Sequence, residues 1–313
     1  MAGEIVLLDG GMGQELVHRS GDRPTGLWAS QIMLDRPELV EAVHADYIAA
    51  GASLITLNSY DIHRDRLARN GVEERFEPLH RRAIALAEAA RDKAAGDKAA
   101  HRVRLAGSIG PLGWSYRPDL AYPMAESAAR YAEIAALQAP HVDVIICETV
   151  ASLDAARAAI RGASGHGVPV WLALTVDDDD GARLRSGEPL AAVADVLATD
   201  PAAAVLVNCS TPEAVSVAMP VLSRFGLPFG AYANGFTRIA PEFVRPGATV
   251  DLLEARSDLD PDAYADFALA WVEGGATIVG GCCEVGPAHI ARLRDRLAAT
   301  GLAVSTAIPG DPE

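Results

Sequence analysis

The feature that most constrains the fold of this chain is a regular alternation of short apolar runs with longer helical stretches. Eight apolar runs occur, and a segment of helical composition follows each of them. Parallel strands joined by helices form either a closed barrel or an open doubly wound sheet. Eight repeats without a Gly-rich nucleotide turn favour a single (β/α)8 TIM-type barrel. The strands are predicted at 4–8, 53–57, 103–107, 142–147, 169–174, 203–207, 228–232 and 276–279.

The helices are predicted between these strands and after the last of them. Ser152 and Asp260 are suitable N-caps, because their side-chain oxygens can accept the free amides of a first helical turn. Residues 177–187 and 235–258 lack a regular pattern, and we predict that they form loops over the mouth of the barrel. The helices are predicted at 37–50, 73–95, 124–139, 151–161, 188–198, 211–224, 261–273 and 287–299.

Length and composition limit the class of protein. The 313 residues suffice for one large domain, which we expect over 1–302, with a loosely ordered tail over 303–313. A formal net charge of −15 argues against partners such as nucleic acid or an anionic membrane. No apolar run approaches the roughly 18 residues of a membrane span, and the first residues lack the pattern of a signal peptide. With only four cysteines, two of them adjacent, we expect no disulfide framework and a location in the reducing cytoplasm.

Polar residues follow the apolar runs, at the strand ends that form the mouth of a barrel. Asp9 and Glu148 are placed to hold an ammonium group there, although such acids also cap turns or bind backbone amides. Gly10 and Gly11 can offer backbone N–H groups to a carboxylate, or form a tight turn. The further candidate pocket residues are Asn58, Tyr60, Asn208 and Tyr232 at strand ends, and the aromatic Trp114.

Three cysteines at two strand ends predict a metal site. Cys282 and Cys283 are adjacent, and neighbouring residues lie too close for an unstrained disulfide. Cys209 ends the sixth strand, which lies near the eighth in a barrel. Three thiolates suit Zn²⁺ and leave one tetrahedral position open, as in catalytic zinc sites. The alternative for an isolated cysteine is a small buried hydrophobe, which is our prediction for Cys147.

The strand-end motifs together resemble those of a known enzyme family. In chain order they are Asp9-Gly10-Gly11-Met12-Gly13, Gly107-Ser108-Ile109-Gly110-Pro111, Cys147-Glu148-Thr149, Asn208-Cys209 and Gly280-Gly281-Cys282-Cys283. From about residue 5 to residue 297 the chain resembles the zinc-dependent homocysteine S-methyltransferase family. The resemblance implies a (β/α)8 barrel with zinc on the three cysteines. It also implies that Asp9 and Glu148 hold the homocysteine ammonium, with the Gly10-Gly11 turn near its carboxylate.

The implied activity is methyl transfer from a small sulfonium or quaternary ammonium donor to the zinc-bound thiolate of L-homocysteine, giving methionine. S-methylmethionine is the favoured donor. Two features depart from the family pattern: Glu284 stands where glycine is usual, and residues 61–65 differ from both the betaine-using and the S-methylmethionine-using branches. The alternatives are methyl transfer to another thiol or selenol, a zinc-dependent barrel hydrolase, and a non-catalytic zinc or thiol-binding protein. The oligomeric state stays open.

Overall fold

A parallel sheet forms the centre of the computed structural model, which describes residues 3–96, 102–245 and 248–311. In these residues the sheet has nine strands in the order β2-β3-β4-β5-β6-β7-β8-β1-β9. All eight predicted strands are present, and only the short β9 is additional. The strands are β1 Glu4–Leu7, β2 Leu54–Thr56, β3 Arg104–Ile109, β4 Val144–Val150, β5 Val170–Leu174, β6 Ala204–Asn208, β7 Phe229–Tyr232, β8 Ile278–Val279 and β9 Ala303–Val304.

The sheet is curled, so that β1 also approaches β2. The Ser53 N–H donates to the Leu7 carbonyl at 2.8 Å, and the Asp9 N–H donates to the Leu54 carbonyl at 3.1 Å. Leu8 and Leu54 form an isolated parallel bridge between the same two segments. These bonds connect the β2 side of the sheet with the β1 side.

Helices cover the outer face of the sheet. The Ser152 and Asp260 side chains cap α7 and α10 as predicted, accepting the Ala155 and Ala263 amides at 3.2 and 2.9 Å. Three helices, α1, α2 and α4, were not predicted, and within 188–198 only α8 is α-helical. No helix in the described ranges combines the length and apolarity needed to cross a membrane. The helices are α1 Met12–Ser20, α2 Trp28–Asp35, α3 Pro37–Ala50, α4 Arg64–Arg69, α5 Phe76–Ala95, α6 Met124–Gln138, α7 Leu153–Ala163, α8 Val193–Leu197, α9 Pro212–Leu222, α10 Pro261–Glu273 and α11 Pro287–Ala299.

Strand residues alternate between two buried faces, which explains why the apolar runs are continuous. One set packs against the helices, and the other forms a separate inner cluster that includes Val6, Leu54 and Trp171. Toward the carboxyl ends of the strands the inner positions become polar. Ala106, Ile146 and Leu206 are followed two residues later by Ser108, Glu148 and Asn208.

The segment after residue 302 differs from the loosely ordered tail that we expected. β9 pairs with the first residues of β1, and Ile308 is buried in the inner cluster. The Trp171 indole N–H donates to the Pro309 carbonyl at 3.0 Å. The segment therefore covers the amino-terminal end of the strands. Its two-residue strand and single buried isoleucine are too short a pattern to be recognised from sequence.

Candidate active site

A cavity of about 520 Å³ opens at the carboxyl ends of the strands. Strand ends form its floor, while aromatic side chains and loop residues within 235–245 and 248–258 contribute to its walls. It lies where the active site of a barrel is expected. The cavity brings together all the residues predicted for the site, which are Asp9, Gly10, Gly11, Asn58, Tyr60, Glu148, Asn208, Cys209, Cys282 and Cys283.

The three cysteines converge on one wall of this cavity. Cys209 follows β6, and the turn after β8 carries Cys282 and Cys283. This turn is fixed by the Gly281 N–H, which donates to the Asp9 carbonyl, and by the Cys282 N–H, which donates to the Ala233 carbonyl, both at 2.9 Å. All three sulfur atoms lie within 4.8 Å of one another. Three soft donors at one point fit a soft or borderline metal ion when the thiols are reduced.

The structure pairs Cys209 with Cys282 as a disulfide and leaves Cys283 free. This pairing differs from the three separate thiolates that we expected. It follows from the same convergence of strand ends, because the two Cα atoms lie 5.8 Å apart, an ordinary separation for a disulfide.

The two free thiols lie in different surroundings. Cys283 faces the cavity, and burial raises its pKa to about 12, with the charges of Glu284 and Glu148 acting in the same direction. A thiolate at this place requires a positive charge close by. Cys147 lies on the helix-facing side of β4 with its sulfur 3.8 Å from the Ala159 carbonyl, as predicted for a core cysteine.

Glu148 is the acid on the inner face of β4, and it is 7% exposed. It accepts hydrogen bonds from the Ser108 hydroxyl at 2.5 Å and from the Tyr232 hydroxyl at 2.9 Å. Burial raises the pKa of Glu148, and the two hydroxyls oppose that rise. Within the described ranges, no arginine, lysine or histidine forms an ion pair with it.

Asp9 lies at the end of β1 and is 2% exposed. Its carboxylate accepts the Thr56 N–H at 2.7 Å and the Thr56 hydroxyl at 3.1 Å. Burial raises the pKa of Asp9 to about 8, and the nearby charge of Glu148 adds to the rise. Like Glu148, Asp9 has no basic partner in the described part of the chain. Two buried acids in one cavity, each without a cation, form a site that favours a positively charged ligand.

Gly10 and Gly11 permit a close approach between the first strand end and the cysteine turn. A Cβ on Gly10 would lie 2.0 Å from the Val285 carbonyl, and one on Gly11 would lie 2.5 Å from the Cys282 carbonyl. We predicted that the Gly11 N–H could bind a ligand carboxylate. It instead donates to the Val285 carbonyl at 3.0 Å and is therefore not available to a ligand. The Gly10 N–H donates no hydrogen bond within the described residues, so it remains available to a ligand carboxylate.

Asn208 positions its neighbour in addition to lining the cavity. Its side-chain oxygen accepts the Thr149 N–H at 2.9 Å, and its amide donates to the Thr149 hydroxyl at 3.0 Å. Thr149 has a φ of 57° and Cys209 has a φ of 48°, values that are unusual for residues other than glycine. The polar atoms of Asn208 are thus used to hold a strained backbone beside Glu148, and the strained Cys209 lines the cavity.

Aromatic rings also line the cavity. Trp28 and Tyr60 meet edge to face, with ring centroids 6.1 Å apart. The Tyr60 hydroxyl lies 2.9 Å from the Ser115 hydroxyl, and the Tyr60 ring packs closely on Gly110. Asn58 is buried and donates a long hydrogen bond of 3.5 Å to a backbone carbonyl of α2. Trp114 and Tyr232 also line the cavity, as predicted.

Glu284 occupies the position directly after the cysteine pair with a φ of 64°. Glycine adopts this conformation without strain, which explains why glycine is the expected residue there. The Glu284 carboxylate accepts the Gln14 amide at 2.6 Å and lies 3.1 Å from the His18 ring nitrogen. These bonds fasten the cysteine turn to α1.

The curled parallel sheet defines an α/β protein whose strand-end cavity is lined by cysteines and two buried acids. The family model for homocysteine S-methyltransferase matches residues 6–297. The chain therefore belongs to the homocysteine S-methyltransferase family.

Individual relatives agree with this assignment. The chain is 29% identical to the homocysteine S-methyltransferase of Escherichia coli strain K12, over 94% of this chain and 95% of the relative. It is 25% identical to a selenocysteine methyltransferase of Astragalus bisulcatus, over 91% and 90% of the two chains. The metallated form of the homocysteine methyltransferase MmuM from Escherichia coli superposes with a TM-score of 0.79 at 28% identity, covering 94% of this chain and 96% of that chain.

The sequence analysis named Tyr232 as a pocket residue but missed the other residues that hold the two acids. Thr56 was not named, and Ser108 was quoted only within a strand-end motif, although both lie within or beside predicted strands, two residues beyond an inner apolar position. The alternation of strand faces indicates that they point inward. What sequence alone does not give is the pairing of Thr56 with Asp9 and of Ser108 with Glu148, because each pair lies on two different strands.

Proposed function

We propose that this protein transfers a methyl group from a small sulfonium or quaternary ammonium donor to the thiol of L-homocysteine, giving methionine. The observation that carries the proposal is the convergence of three cysteine sulfur atoms in the same cavity as two buried acids that form no ion pair in the described residues. The homocysteine substrate has a thiol and an ammonium group, and both would find a matching partner in this cavity. Family membership supports the same reaction class.

Two further elements complete the proposal. We infer that the bonds between β1 and β2 close the sheet into an eight-stranded (β/α)8 barrel, to which β9 is an appendage. Cys209, Cys282 and Cys283 would hold Zn²⁺ once all three are reduced, which assigns the protein to a reducing compartment such as the cytoplasm. Zinc bound to three thiolates would supply a Lewis acid that favours the thiolate form of a substrate thiol.

The two acids would bind and orient the amino acid. Burial raises the pKa of both carboxyls, to about 8 for Asp9, because a carboxylate is costly in a buried site. A substrate ammonium would offset this cost by stabilising the carboxylates. Ser108 and Tyr232 hold Glu148 in one orientation, and Thr56 does the same for Asp9. This fixed geometry would place the substrate sulfur toward the cysteine wall.

The aromatic wall would hold the methyl donor. Rings such as Trp28 and Tyr60 attract onium cations through their faces and exclude water from the cavity. In the reaction the sulfur forms a bond to the methyl carbon, and the donor atom keeps the electron pair of the broken bond. An anion and a cation thereby become two neutral groups, a change that a dry cavity favours. S-methylmethionine remains the favoured donor.

The test combines a cysteine variant with a donor panel. Wild-type protein, Cys209→Ser and the core control Cys147→Ala would be loaded with zinc under reducing conditions and assayed for metal content. Each would then receive homocysteine with S-methylmethionine, S-adenosylmethionine, betaine or dimethylsulfoniopropionate, and methionine would be measured by mass spectrometry. We expect Cys209→Ser to lose zinc and at least about 1000-fold in activity, as when an essential catalytic group is removed. Cys147→Ala should retain both.

Two outcomes would contradict the proposal. One is full activity of Cys209→Ser without metal. The other is wild-type protein that holds zinc but forms no methionine from any of the four donors. Selenocysteine should be included as a second acceptor, because two plant relatives are selenocysteine methyltransferases. Methylation of selenocysteine but not of homocysteine would keep the reaction class and change the acceptor.

A further inference from the structure

One arginine of the cavity wall has an unused side chain. Arg66 lies in α4, the short helix that follows β2, and it is half-buried. It lines the same cavity as Trp28 and Tyr60. Its backbone carbonyl accepts the Asn70 amide, but its guanidinium forms no hydrogen bond or ion pair with any other described residue. Five N–H donors therefore stand beside the cavity without a protein acceptor.

The second cavity-lining arginine on the same helix shows a contrasting arrangement. The Arg69 guanidinium bonds the Asp65 carboxylate at 3.0 Å and the Gly113 carbonyl at 2.8 Å. It also lies over the Trp114 ring, 4.5 Å from the ring centroid. Arg69 thus joins α4 to the loop after β3. Arg66, three residues earlier on the helix, has no comparable structural role.

Among the described residues, no acid forms an ion pair with Arg66. Asp61 is fully buried, and its two carboxylate oxygens accept the hydroxyl and the backbone N–H of Ser30 at 2.6 and 3.3 Å. The charge of Arg66 opposes the effect of burial on the pKa of Asp61, but the two groups are too far apart for an ion pair. The guanidinium therefore keeps its charge for a ligand in the cavity.

We propose that Arg66 binds the carboxylate of the methyl donor and thereby selects donors that carry one. A guanidinium matches a carboxylate with two parallel hydrogen bonds. A donor with a cationic centre and a carboxylate would place its cation against the aromatic wall and its anion on Arg66. A cationic donor without an anionic group would meet the like charge of Arg66 and be rejected. This inference rests on the proposed methyl transfer and names the specificity residue of its donor site.

The experiment compares two donors that differ in one charge. The best donor of the four-member panel and the carboxamide of that donor would be tested with wild-type protein, Arg66→Met, Arg66→Lys and the control Arg82→Met. Arg82 is an exposed residue of α5 that does not line the cavity. The carboxamide keeps the reacting onium centre, so the ratio of kcat/KM for the two donors isolates the contribution of the carboxylate.

Wild type and Arg82→Met should prefer the carboxylate donor by roughly 10- to 100-fold, the range of a charge-assisted hydrogen bond in a half-buried site. In Arg66→Met the ratio should fall toward one, through a higher KM for the carboxylate donor with kcat little changed. Arg66→Lys should lie between them, because it keeps the charge and loses the paired geometry. It also serves as the second variant if Arg66→Met does not fold.

Three results would overturn the inference. An unchanged donor ratio in active Arg66→Met would contradict it and leave the proposed function intact. A rise in the KM for homocysteine, with the donor ratio retained, would assign Arg66 to the acceptor instead. If the wild-type protein methylates no acceptor, both the proposed function and this inference are wrong.

Discussion

Two acids at opposite ends of β4 have opposite surroundings. Asp143 directly precedes the strand, and its carboxylate binds the Arg104 guanidinium at 2.9 Å and the Leu105 N–H at 2.8 Å. Glu148 lies five residues later, at the cavity, and in the described residues it accepts hydrogen bonds only from two hydroxyls. The first acid has its cation within the protein. The second has the geometry to bind a cation but no cation of its own.

The same difference separates the two ends of the whole sheet. At the amino-terminal end, Arg104 also pairs with Asp311, and the segment after residue 302 covers the strands. At the carboxyl end, Asp9, Glu148 and the cysteines face a cavity. Polar groups that satisfy one another close a surface, whereas polar groups that lack a partner of opposite charge leave a site for a ligand. The candidate site therefore lies at the end of the sheet where buried acids have no cationic partner among the described residues.

The largest expected effect concerns the amino-terminal end of the sheet, which the segment after residue 302 covers. Truncation after Leu302 removes β9, the buried Ile308, the Pro309 acceptor and the Asp311 partner of Arg104. Burial of one isoleucine and the lost hydrogen bonds together contribute about 4 kcal/mol to the free energy of unfolding. Chemical denaturation should show this loss, while kcat at low temperature should stay near the wild-type value. Ile308→Ala is the matched point variant and should lose about half as much. An unchanged denaturation midpoint on truncation would show that the segment contributes nothing to the closure.

The second prediction exchanges the two acids of β4 for their amides. Glu148→Gln keeps the size of the side chain and removes the charge that would bind the substrate ammonium. The KM for homocysteine should rise about 100-fold, because a charge-assisted hydrogen bond in a buried site is lost. Asp143→Asn, the same exchange at the other end, should lower stability and leave KM unchanged. Steady-state kinetics and thermal melting of both variants would decide the matter. Equal effects of the two variants on KM would remove the distinction between the two ends.

The sequence predicted the carboxyl end of the sheet, where the cavity lies, better than the amino-terminal end, which the segment after residue 302 covers. Long apolar runs revealed the strands, and the residues after them revealed the thiols and the acids, because strand order and face alternation are local properties. Arg66 and the partners of the acids other than Tyr232 were missed, since they depend on contacts between distant elements. α1 was missed because it begins at Met12, inside a run of glycines that indicates a turn. The closing segment was missed because one buried isoleucine has no periodic pattern.

His44 provides a third case, a buried polar group with neither a partner nor a cavity. It lies in α3, is fully buried, and neither ring nitrogen has a hydrogen-bond partner in the described structure. Burial lowers the pKa of His44 to about 3. Below pH 6.5 the unfolded chain therefore binds a proton that the folded protein does not bind until about pH 3. The free energy of unfolding should fall through this range by up to about 1.4 kcal/mol per pH unit for each such histidine.

His44→Leu should remove its share of this acid sensitivity, about 2 kcal/mol at pH 5 relative to pH 7. His63 and His80 also have a pKa lowered by burial, so their contributions should remain in the variant. Denaturation curves at pH 7, 6 and 5 would measure the slope, with the exposed His141→Leu as the control. If the slope were the same in His44→Leu as in wild type, His44 would have to be protonated, and hence partnered, in the folded state. A retained slope in the control and a reduced slope in the variant would instead show that His44, which lies away from the cavity and has no hydrogen-bond partner in the described structure, makes the fold sensitive to acid.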